Sequence, residues 1–237
     1  MKYSIIITYR NREKHLEILL PKLTEIFKDE EYEIIISEQD NNEKFQKNSL
    51  YNLAVRKAKG KILVFHDVDY YPAENVSYFT EGDIPFYPVG KVIFLDKDNK
   101  QRNNEDIPAG YRNFHLSVGD HSGGVFVMTR ELFDKTNPLN PFFKGWGKED
   151  DATRDRLRYL GYNWKRNHDG LFYALYHEDS KPDDNDEDFI NNTKLYMSLG
   201  ESKNVGINNV KGKVEEYNMP GHDKVRWLKV KKFIYTK

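Results

Sequence analysis

Three short runs of apolar, mostly β-branched residues alternate with two segments of helical character near the start of the chain, and this alternation limits the fold more than any other feature. The segment between the second and third runs, FQKNSLYNLAVRKAKG (45–60), closes with a glycine, as helices often do. The runs predict buried strands at YSIIITY (3–9), YEIIISEQ (32–39) and KILVFHDVD (61–69). A strand–helix–strand–helix–strand order predicts a parallel sheet covered by helices, so the sequence indicates an α/β fold.

The later part of the chain mixes further strands and helices without a repeat or a clear linker. HSGGVFVMT (121–129), GLFYALYH (170–177) and the basic tail VRWLKVKKFIYTK predict strands, whereas RELFDKTN, KEDDATRDRLRYLG and residues 189–199 predict helices. The polar stretch 96–110 and the acidic stretch 178–188 predict exposed loops. A length of 237 residues suits one domain.

Composition argues against several classes of partner. The 37 basic and 38 acidic residues leave a formal net charge of −1, too little to attract a nucleic-acid backbone or an anionic membrane. The absence of Cys excludes disulfides and thiolate metal sites, and it agrees with a reducing compartment. The apolar runs are far shorter than the roughly 20 residues of a membrane helix, and the start lacks the layout of a signal peptide. The sequence therefore predicts a cytoplasmic protein without nucleic-acid partners or a transmembrane segment.

Charged residues follow each of the first three predicted strands, in TYRNR (8–12), SEQD (37–40) and HDVD (66–69). Because ligands bind outside the carboxyl ends of parallel strands, we expect these groups on one rim of the sheet. Asp67 and Asp69 are two residues apart, so both carboxylates can face one point and hold a divalent cation that bridges to a diphosphate. A polar turn after a strand explains the same residues, and both interpretations stay open.

Arg10 and Arg12 lie at the start of the first predicted helix, RNREKHLEILLPKLTEIF (10–27), and free N–H groups at a helix start favour anions. Two guanidiniums at that place indicate a phosphate or nucleotide cradle, although plain surface charges also fit. Phe45 opens the second predicted helix on the same rim. It is either a core residue or a platform on which a base stacks, with Lys47 nearby to meet phosphate or ribose.

The segment GWGKEDD (145–151) carries the strongest local signal. Two glycines around Trp146 predict a mobile loop with a large stacking surface, and three acids open the next helix, where the helix dipole stabilises negative charge. An ordinary acidic helix start explains the acids but not the Gly-Trp-Gly. A carboxylate there is suited to accept a proton from an attacking sugar hydroxyl.

His177 ends the predicted strand GLFYALYH. It is either a polar strand terminus or, if the strand reaches Asp69, part of a mixed nitrogen and oxygen site suited to manganese. The other six histidines receive no role.

The ordered motifs TYRNR, FQKNSLYN, FHDVDYYP, HSGGVFVMT, GWGKEDD and ALYHEDS together resemble the β-1,4-galactosyltransferase family, glycosyltransferase family seven. The resemblance covers about residues 3–200 and implies the GT-A fold, a Rossmann-like mixed sheet with helices on both faces. It implies a single catalytic domain over 1–237, with a nucleotide-binding half at 1–80, an acceptor-side half at 81–200 and a C-terminal extension at 201–237.

The resemblance also implies roles for individual residues. Asp69 and His177 match the metal ligands, for Mn²⁺ or alternatively Mg²⁺, and Asp150 matches the catalytic base. His121 lies at the position that governs donor selectivity. The positions that match donor-binding residues are Thr8, Arg10, Arg12, Phe45, Lys47, Asp67, Val68, Asp69, Trp146 and His177. The positions that match acceptor-binding residues are Gly147, Glu149, Asp150 and Asp151.

The activity implied is inverting, metal-dependent transfer of galactose or GalNAc from a UDP-sugar to a hydroxyl of a glycan or glycoside acceptor. Two alternatives stay open: a GT-A transferase with another donor such as UDP-glucose, and a glycan-binding relative that has lost turnover. A nucleotidyltransferase is less favoured, because no second carboxylate-rich metal site is evident.

The chain departs from the family pattern at several positions. Ala174 stands where the family has a Met ligand, which removes one protein ligand and bears on metal preference. Lys47 replaces an arginine, which keeps the charge but loses the forked geometry. His121 replaces a Tyr or a smaller residue. The missing cysteines and membrane anchor lead us to expect a cytoplasmic enzyme of bacterial or viral type.

Overall fold

The computed structural model describes residues 1–79, 82, 84–107, 123–178, 187–198 and 206–236. In these ranges the helices are α1 (Glu13–Ile26), α2 (Lys47–Val55), α3 (Arg130–Thr136), α4 (Glu149–Tyr159) and α5 (Glu187–Ser198). The strands in the same ranges are β1 (Tyr3–Tyr9), β2 (Tyr32–Gln39), β3 (Ile62–Asp67), β4 (Tyr70–Pro72), β5 (Phe86–Tyr87), β6 (Lys91–Phe94), β7 (Val125–Thr129), β8 (Lys165–Arg166), β9 (Leu171–Ala174), β10 (Val210–Asn218) and β11 (Val225–Tyr235).

The strands of the main sheet run in the order β10-β11-β2-β1-β3-β7-β5-β8 within the described ranges. β2, β1 and β3 are parallel neighbours, and β7 is antiparallel to β3. The three parallel strands are buried on both faces, which explains their nearly continuous apolar sequences. The predicted α/β fold with a mixed sheet is confirmed.

Helices cover both faces of this sheet. On one face, Leu19 and Leu23 of α1 pack with Ile5 of β1 in one buried cluster. On the other face, Tyr51 of α2 packs with Ile6 of β1. Because side chains of a strand alternate between faces, neighbouring isoleucines of one run enter two different cores.

Two strands from the end of the chain extend the main sheet beyond β2. β11 runs parallel to β2, with Val225 opposite Ile34, and β10 pairs antiparallel with β11. The basic tail was predicted as a strand and forms β11. β10 was not predicted, because VKGKVEEYN is mostly charged or polar and is largely exposed.

A second, smaller sheet has the order β4-β9-β6 in the described residues and lies just beyond the end of β3. Tyr70 of β4 pairs with Ala174 of β9. The strand predicted through residue 177 ends at Ala174, because the chain then leaves the ladder and Leu175 donates a backbone hydrogen bond to the Asp69 carbonyl. The small sheet thus brings His177 to the carboxyl end of β3.

Helix α2 begins at Lys47, two residues later than predicted, so Phe45 precedes the helix rather than opening it. The backbone oxygen of Phe45 accepts a hydrogen bond from the N–H of Gly145 over 2.7 Å. This bond ties the start of α2 to the Gly-Trp-Gly loop. None of the helices in the described ranges has both the length and the apolar character needed to span a bilayer.

Candidate active site

A cleft of about 600 Å³ opens at the carboxyl ends of β1 and β3. This is the edge at which ligands bind in open α/β sheets. Two of the predicted acceptor-side acids, Glu149 and Asp150, line it. So does every residue predicted to bind the donor: Thr8, Arg10, Arg12, Phe45, Lys47, Asp67, Val68, Asp69, Trp146 and His177.

Asp67 closes β3 and points toward α2. Its Oδ1 accepts a hydrogen bond from the Tyr51 hydroxyl over 2.9 Å, and its Oδ2 lies 3.7 Å from the Lys47 ammonium. Burial raises the pKa of Asp67 to about 6, although the charge of Lys47 opposes the shift. The carboxylate is therefore tied to the helix that covers the cleft.

Asp69 lies two residues further on and meets His177, whose Nε2 is 3.2 Å from Oδ2 of Asp69. Burial disfavours the Asp69 carboxylate, yet the hydrogen bond from His177 is enough to lower its pKa. The same bond raises the pKa of His177. One carboxylate oxygen and one imidazole nitrogen thus converge where both side chains line the cleft.

This pair fits a divalent cation of the kind that accepts mixed oxygen and nitrogen ligands. In the ranges that the structure describes, no group of three or more His, Asp or Glu side chains is placed to hold a metal ion. Ala174 lines the cleft close by and offers no ligand atom. Among the described residues, Asp69 and His177 are thus the pair placed to act as ligands of a cation in the cleft.

Lys47 lies between the two walls of the cleft. Its ammonium is 2.8 Å from Oδ1 of Asp150 and 2.9 Å from Oε1 of Glu149, in the first turn of α4. With Asp67, three carboxylates share this one cation. Their charges together hold the pKa of Lys47 well above its usual value despite burial, so the ammonium stays protonated. Lys47 therefore connects the end of β3 to the start of α4.

Burial raises the pKa of Asp150 to about 7. Lys47 counteracts the shift, and the neighbouring charge of Glu149 adds to it. A carboxyl group with a pKa near neutrality is well matched to taking up a proton near pH 7. The position of Asp150 at a helix start supports its ionised form.

The predicted nucleotide-binding residues lie together at the other end of the cleft. The guanidinium of Arg10 is 5.3 Å from the centre of the Phe45 ring and donates a hydrogen bond to the Glu43 carbonyl over 2.6 Å. Phe45 is partly buried against the core cluster around Leu50 and also lines the cleft. Both interpretations of Phe45 thus describe part of its environment.

The Gly-Trp-Gly loop is held by α5. The Trp146 ring stacks on Phe189 with centroids 5.6 Å apart and is 37% exposed. Asn192 donates hydrogen bonds to the Lys144 and Trp146 carbonyls. Gly147 has φ of +105°, and a side chain there would come within 2.7 Å of the Phe189 ring. The loop therefore presents Trp146 at the mouth of the cleft.

Two of the predicted residues that the structure describes, Gly147 and Asp151, do not line the cleft. Gly147 packs on Phe189 instead. Asp151 forms ion pairs with Lys148 at 3.1 Å and Arg154 at 3.0 Å on the outer side of α4. His121 lies outside the described residues.

Two residues of the site were missed from the sequence. Tyr51 holds Asp67, and its spacing of four from Lys47 placed both on one face of a predicted helix, which was an available signal. His15 hydrogen-bonds the backbone beside His177. It follows Arg12 by three residues in a predicted helix, but nothing local in the sequence indicated that contact.

Two family models match the chain. Residues 1–81 match the N-terminal region of glycosyl transferase group 7, and residues 109–178 match the model described as the N-terminal domain of galactosyltransferase. The matched segments contain the residues of the cleft from β1, α2, β3, α4 and the segment after β9.

Curated relatives of the chain are animal β-1,4-galactosyltransferases. Human β-1,4-galactosyltransferase 6 is 30% identical over 171 residues, which cover 70% of this chain and 40% of that protein. Mouse β-1,4-galactosyltransferase 4 is 34% identical over 162 residues, covering 66% and 42%. Zebrafish β-1,4-galactosyltransferase 5 is 27% identical over 218 residues, covering 88% and 52%. The chain spans about half or less of the length of these relatives.

Solved structures of glycosyltransferases share the fold. A Drosophila β-1,4-galactosyltransferase 7 variant, in complex with manganese, UDP-Gal and xylobiose, superposes with a TM-score of 0.72 at 19% identity, covering 100% of this chain and 95% of that one. GalNAc-T7 with UDP, GalNAc and Mn²⁺ has a TM-score of 0.59 at 13% identity, covering 84% and 48%. The GT-A fold expected from the sequence is confirmed.

The predicted localisation is wrong. We expected a cytoplasmic enzyme of bacterial or viral type from the absence of cysteines and of an anchor. The curated relatives that match are animal β-1,4-galactosyltransferases. Composition misled here because a chain without cysteine fits a reducing compartment but does not require one.

Proposed function

Because the chain belongs to glycosyl transferase group 7, the family of the β-1,4-galactosyltransferases, we propose that it is an inverting, metal-dependent glycosyltransferase. It transfers galactose from UDP-galactose to a hydroxyl of a glycan acceptor. The observation that carries this proposal is the meeting of Asp69 with His177 in the same cleft that Asp150 lines. These three residues are distant in sequence.

The donor lies along the rim formed by β1, β3 and the start of α2. Phe45 stacks on the uracil, while Arg10 and Arg12 receive the diphosphate with charge-assisted hydrogen bonds. Thr8 and Val68 form the floor of the cleft. The contact between Arg10 and the Phe45 ring holds the guanidinium near the base before the donor arrives.

Asp69 and His177 hold the metal, for which Mn²⁺ is the proposed ion and Mg²⁺ the alternative. When bound, the ion neutralises charge on the diphosphate leaving group. Fixed cations aimed at the leaving group lower the barrier because they need no reorganisation during the reaction. Arg10 and Arg12 supply that part of the stabilisation from the chain itself.

Asp150 takes the proton of the acceptor hydroxyl while the hydroxyl oxygen attacks the anomeric carbon. A new bond forms between that oxygen and the carbon, and the bond from the carbon to the UDP oxygen breaks. A single displacement of this kind inverts the anomeric carbon. Lys47 holds both oxygens of Asp150, at 2.8 and 3.0 Å, and so orients the carboxylate before the acceptor binds.

Trp146 and the loop around it cover the cleft on the acceptor side. Exclusion of water by this loop limits hydrolysis of the donor. The contacts of α5 with the loop, through Phe189 and Asn192, stabilise the covering position. Glu149 and Asp150, in the first turn of α4, complete the acceptor end.

The choice of donor is open within this proposal. GalNAc and glucose are alternatives to galactose, because His121 departs from the family pattern at the position that the resemblance assigns to donor selectivity. A glycan-binding relative without turnover is the alternative outside the enzymes. This alternative is based on Ala174, which stands where the family has a Met that binds the metal.

A UDP-release assay with a panel of UDP-sugars tests the function. The protein is incubated with Mn²⁺, xylose or N-acetylglucosamine glycosides, and UDP-Gal, UDP-GalNAc or UDP-glucose in turn. We expect acceptor-dependent UDP release to be greatest with UDP-Gal, and mass spectrometry to detect the extended acceptor. Release with UDP-glucose alone would replace the donor, and no acceptor-dependent release with any donor would support the inactive relative.

The acceptor step should depend on pH through Asp150. Because the base must be ionised, we expect kcat/KM for the acceptor to increase with pH and to level off above about 7, the pKa of this carboxyl in the free protein. The measurement is a rate profile between pH 5.5 and 9 at saturating Mn²⁺ and donor. A flat profile in this range would contradict the assignment.

Two variants shift this profile in opposite directions. Lys47→Met removes the cation that favours ionised Asp150, so the rising limb of the pH–rate profile should move to higher pH. Glu149→Gln removes a negative neighbour that disfavours it, so the limb should move to lower pH. Shifts of one sign in both variants would indicate that another group titrates. The diagnostic quantity is the position of the limb, which is separable from any loss in maximal rate.

A further inference from the structure

One histidine outside the predicted site contacts the segment that carries His177. His15 lies in the first turn of α1, and its Nε2 is 2.9 Å from the Tyr176 carbonyl oxygen. A carbonyl oxygen only accepts, so the proton of this hydrogen bond belongs to Nε2 of His15. The bond joins positions 161 apart in sequence, and no step of the proposed reaction uses it.

The bond acts at the point where the chain has left the sheet. β9 ends at Ala174, and the N–H of Leu175 donates to the Asp69 carbonyl over 2.8 Å. The Tyr176 carbonyl belongs to the same peptide group as the backbone nitrogen of His177. A hydrogen bond to this carbonyl therefore limits rotation of the backbone that carries the His177 side chain.

The geometry separates this role from that of a metal ligand. The rings of His15 and His177 are 6.4 Å apart, edge to face, and Nε2 of His15 is engaged with the carbonyl. α1 thereby supplies a hydrogen-bond donor behind the pair of Asp69 and His177.

We propose that His15 is a positioning residue, which holds the peptide group before His177 so that the His177 imidazole faces Asp69. The inference rests on the proposed function, since it takes His177 to be a metal ligand. Groups that orient metal ligands typically contribute about 10- to 100-fold to metal affinity. His15 acts through the backbone, so we expect the lower end, about tenfold.

The test measures Mn²⁺ binding rather than turnover. Free Mn²⁺ is followed by electron paramagnetic resonance during titration of the protein at saturating UDP. The variants are His15→Met, which fills the volume without a donor, and His15→Gln, whose amide can donate to the same carbonyl. His222→Ala is the matched control, because His222 is an exposed histidine in the turn between β10 and β11.

We expect Mn²⁺ affinity about tenfold weaker in His15→Met, within about threefold of wild type in His15→Gln, and unchanged in His222→Ala. Wild-type affinity in His15→Met overturns the inference, and so does an equal loss in the Met and Gln variants. If the wild-type protein itself does not bind Mn²⁺ in the presence of UDP, that result contradicts the proposed function, and the role of His15 falls with it. Circular dichroism of each variant checks that a loss does not arise from unfolding.

Discussion

Replacing Asp150 by Asn is expected to lower sugar transfer by about two to four orders of magnitude while leaving UDP binding in the presence of Mn²⁺ within a few-fold of wild type. The amide has nearly the shape of the carboxylate but cannot take the proton of the acceptor hydroxyl. The phosphate-facing residues Arg10 and Arg12 are untouched by the change. The measurements are kcat by UDP release and Kd for UDP by calorimetry.

The same variant should be more stable than wild type at pH 8. The carboxylates of Asp67, Glu149 and Asp150 all contact the ammonium of Lys47. Burial disfavours the ionised form of Asp150. Its pKa is raised from 3.8 to about 7, so the destabilisation from ionising Asp150 grows as the pH rises between these two values and levels off above about 7. Removing that charge should raise Tm, a known cost of catalytic carboxylates.

An exposed aspartate provides the control for both effects. Asp134→Asn alters the same chemical group in α3, on the surface and away from the cleft. We expect wild-type transfer and wild-type Tm. Wild-type-like turnover of Asp150→Asn would remove Asp150 as the base. Loss of UDP affinity together with turnover would point instead to a disturbed donor site.

Loss of the metal pair should have the second large effect. We expect excess chelator to abolish transfer in the wild-type protein and Mn²⁺ to restore it, because the diphosphate then again leaves with its charge neutralised. Asp69→Ala and His177→Ala should each lower transfer by at least about 100-fold at saturating Mn²⁺. Each should also weaken Mn²⁺ binding in the presence of UDP.

His168→Ala is the control for the loss of an imidazole, since His168 is exposed and does not line the cleft. Its transfer rate and Mn²⁺ affinity should equal those of wild type. Full activity of the wild-type protein in excess chelator would contradict the metal requirement. Titration with Mg²⁺ beside Mn²⁺ then shows whether the pair of Asp69 and His177 accepts either ion.

Much of the candidate site was predictable because it follows from where parallel strands end. The bounds of β1 and β2 agree with the prediction to the residue, since strands buried on both faces carry an apolar run, here three consecutive isoleucines in each strand. Given those strands, the rule that ligands bind at their carboxyl ends placed Arg10, Arg12, Asp67 and Asp69 on one rim. The acids at the start of α4 were also predictable, because negative charge is stabilised at the start of a helix.

The short strands could not be predicted in the same way. β5 and β8 have two residues each, and β10 is mostly charged or polar, so none of the three shows the apolar run or the sustained alternation that predicts a strand. Each exists because a neighbour offers hydrogen bonds. The end of β9 at Ala174 likewise depends on the Asp69 carbonyl, which is more than a hundred residues away in sequence.

The sequence alone determined the α/β class, the central strands and the chemical types that line the rim, because burial and strand polarity leave periodic, local marks on a chain. Only the tertiary structure decided which of those groups meet. Lys47 reaches Asp150 across 103 positions, and His15 reaches the backbone at Tyr176 across 161. Such contacts depend on how the helices pack against the sheet. That packing produces no periodic pattern in the sequence around either residue.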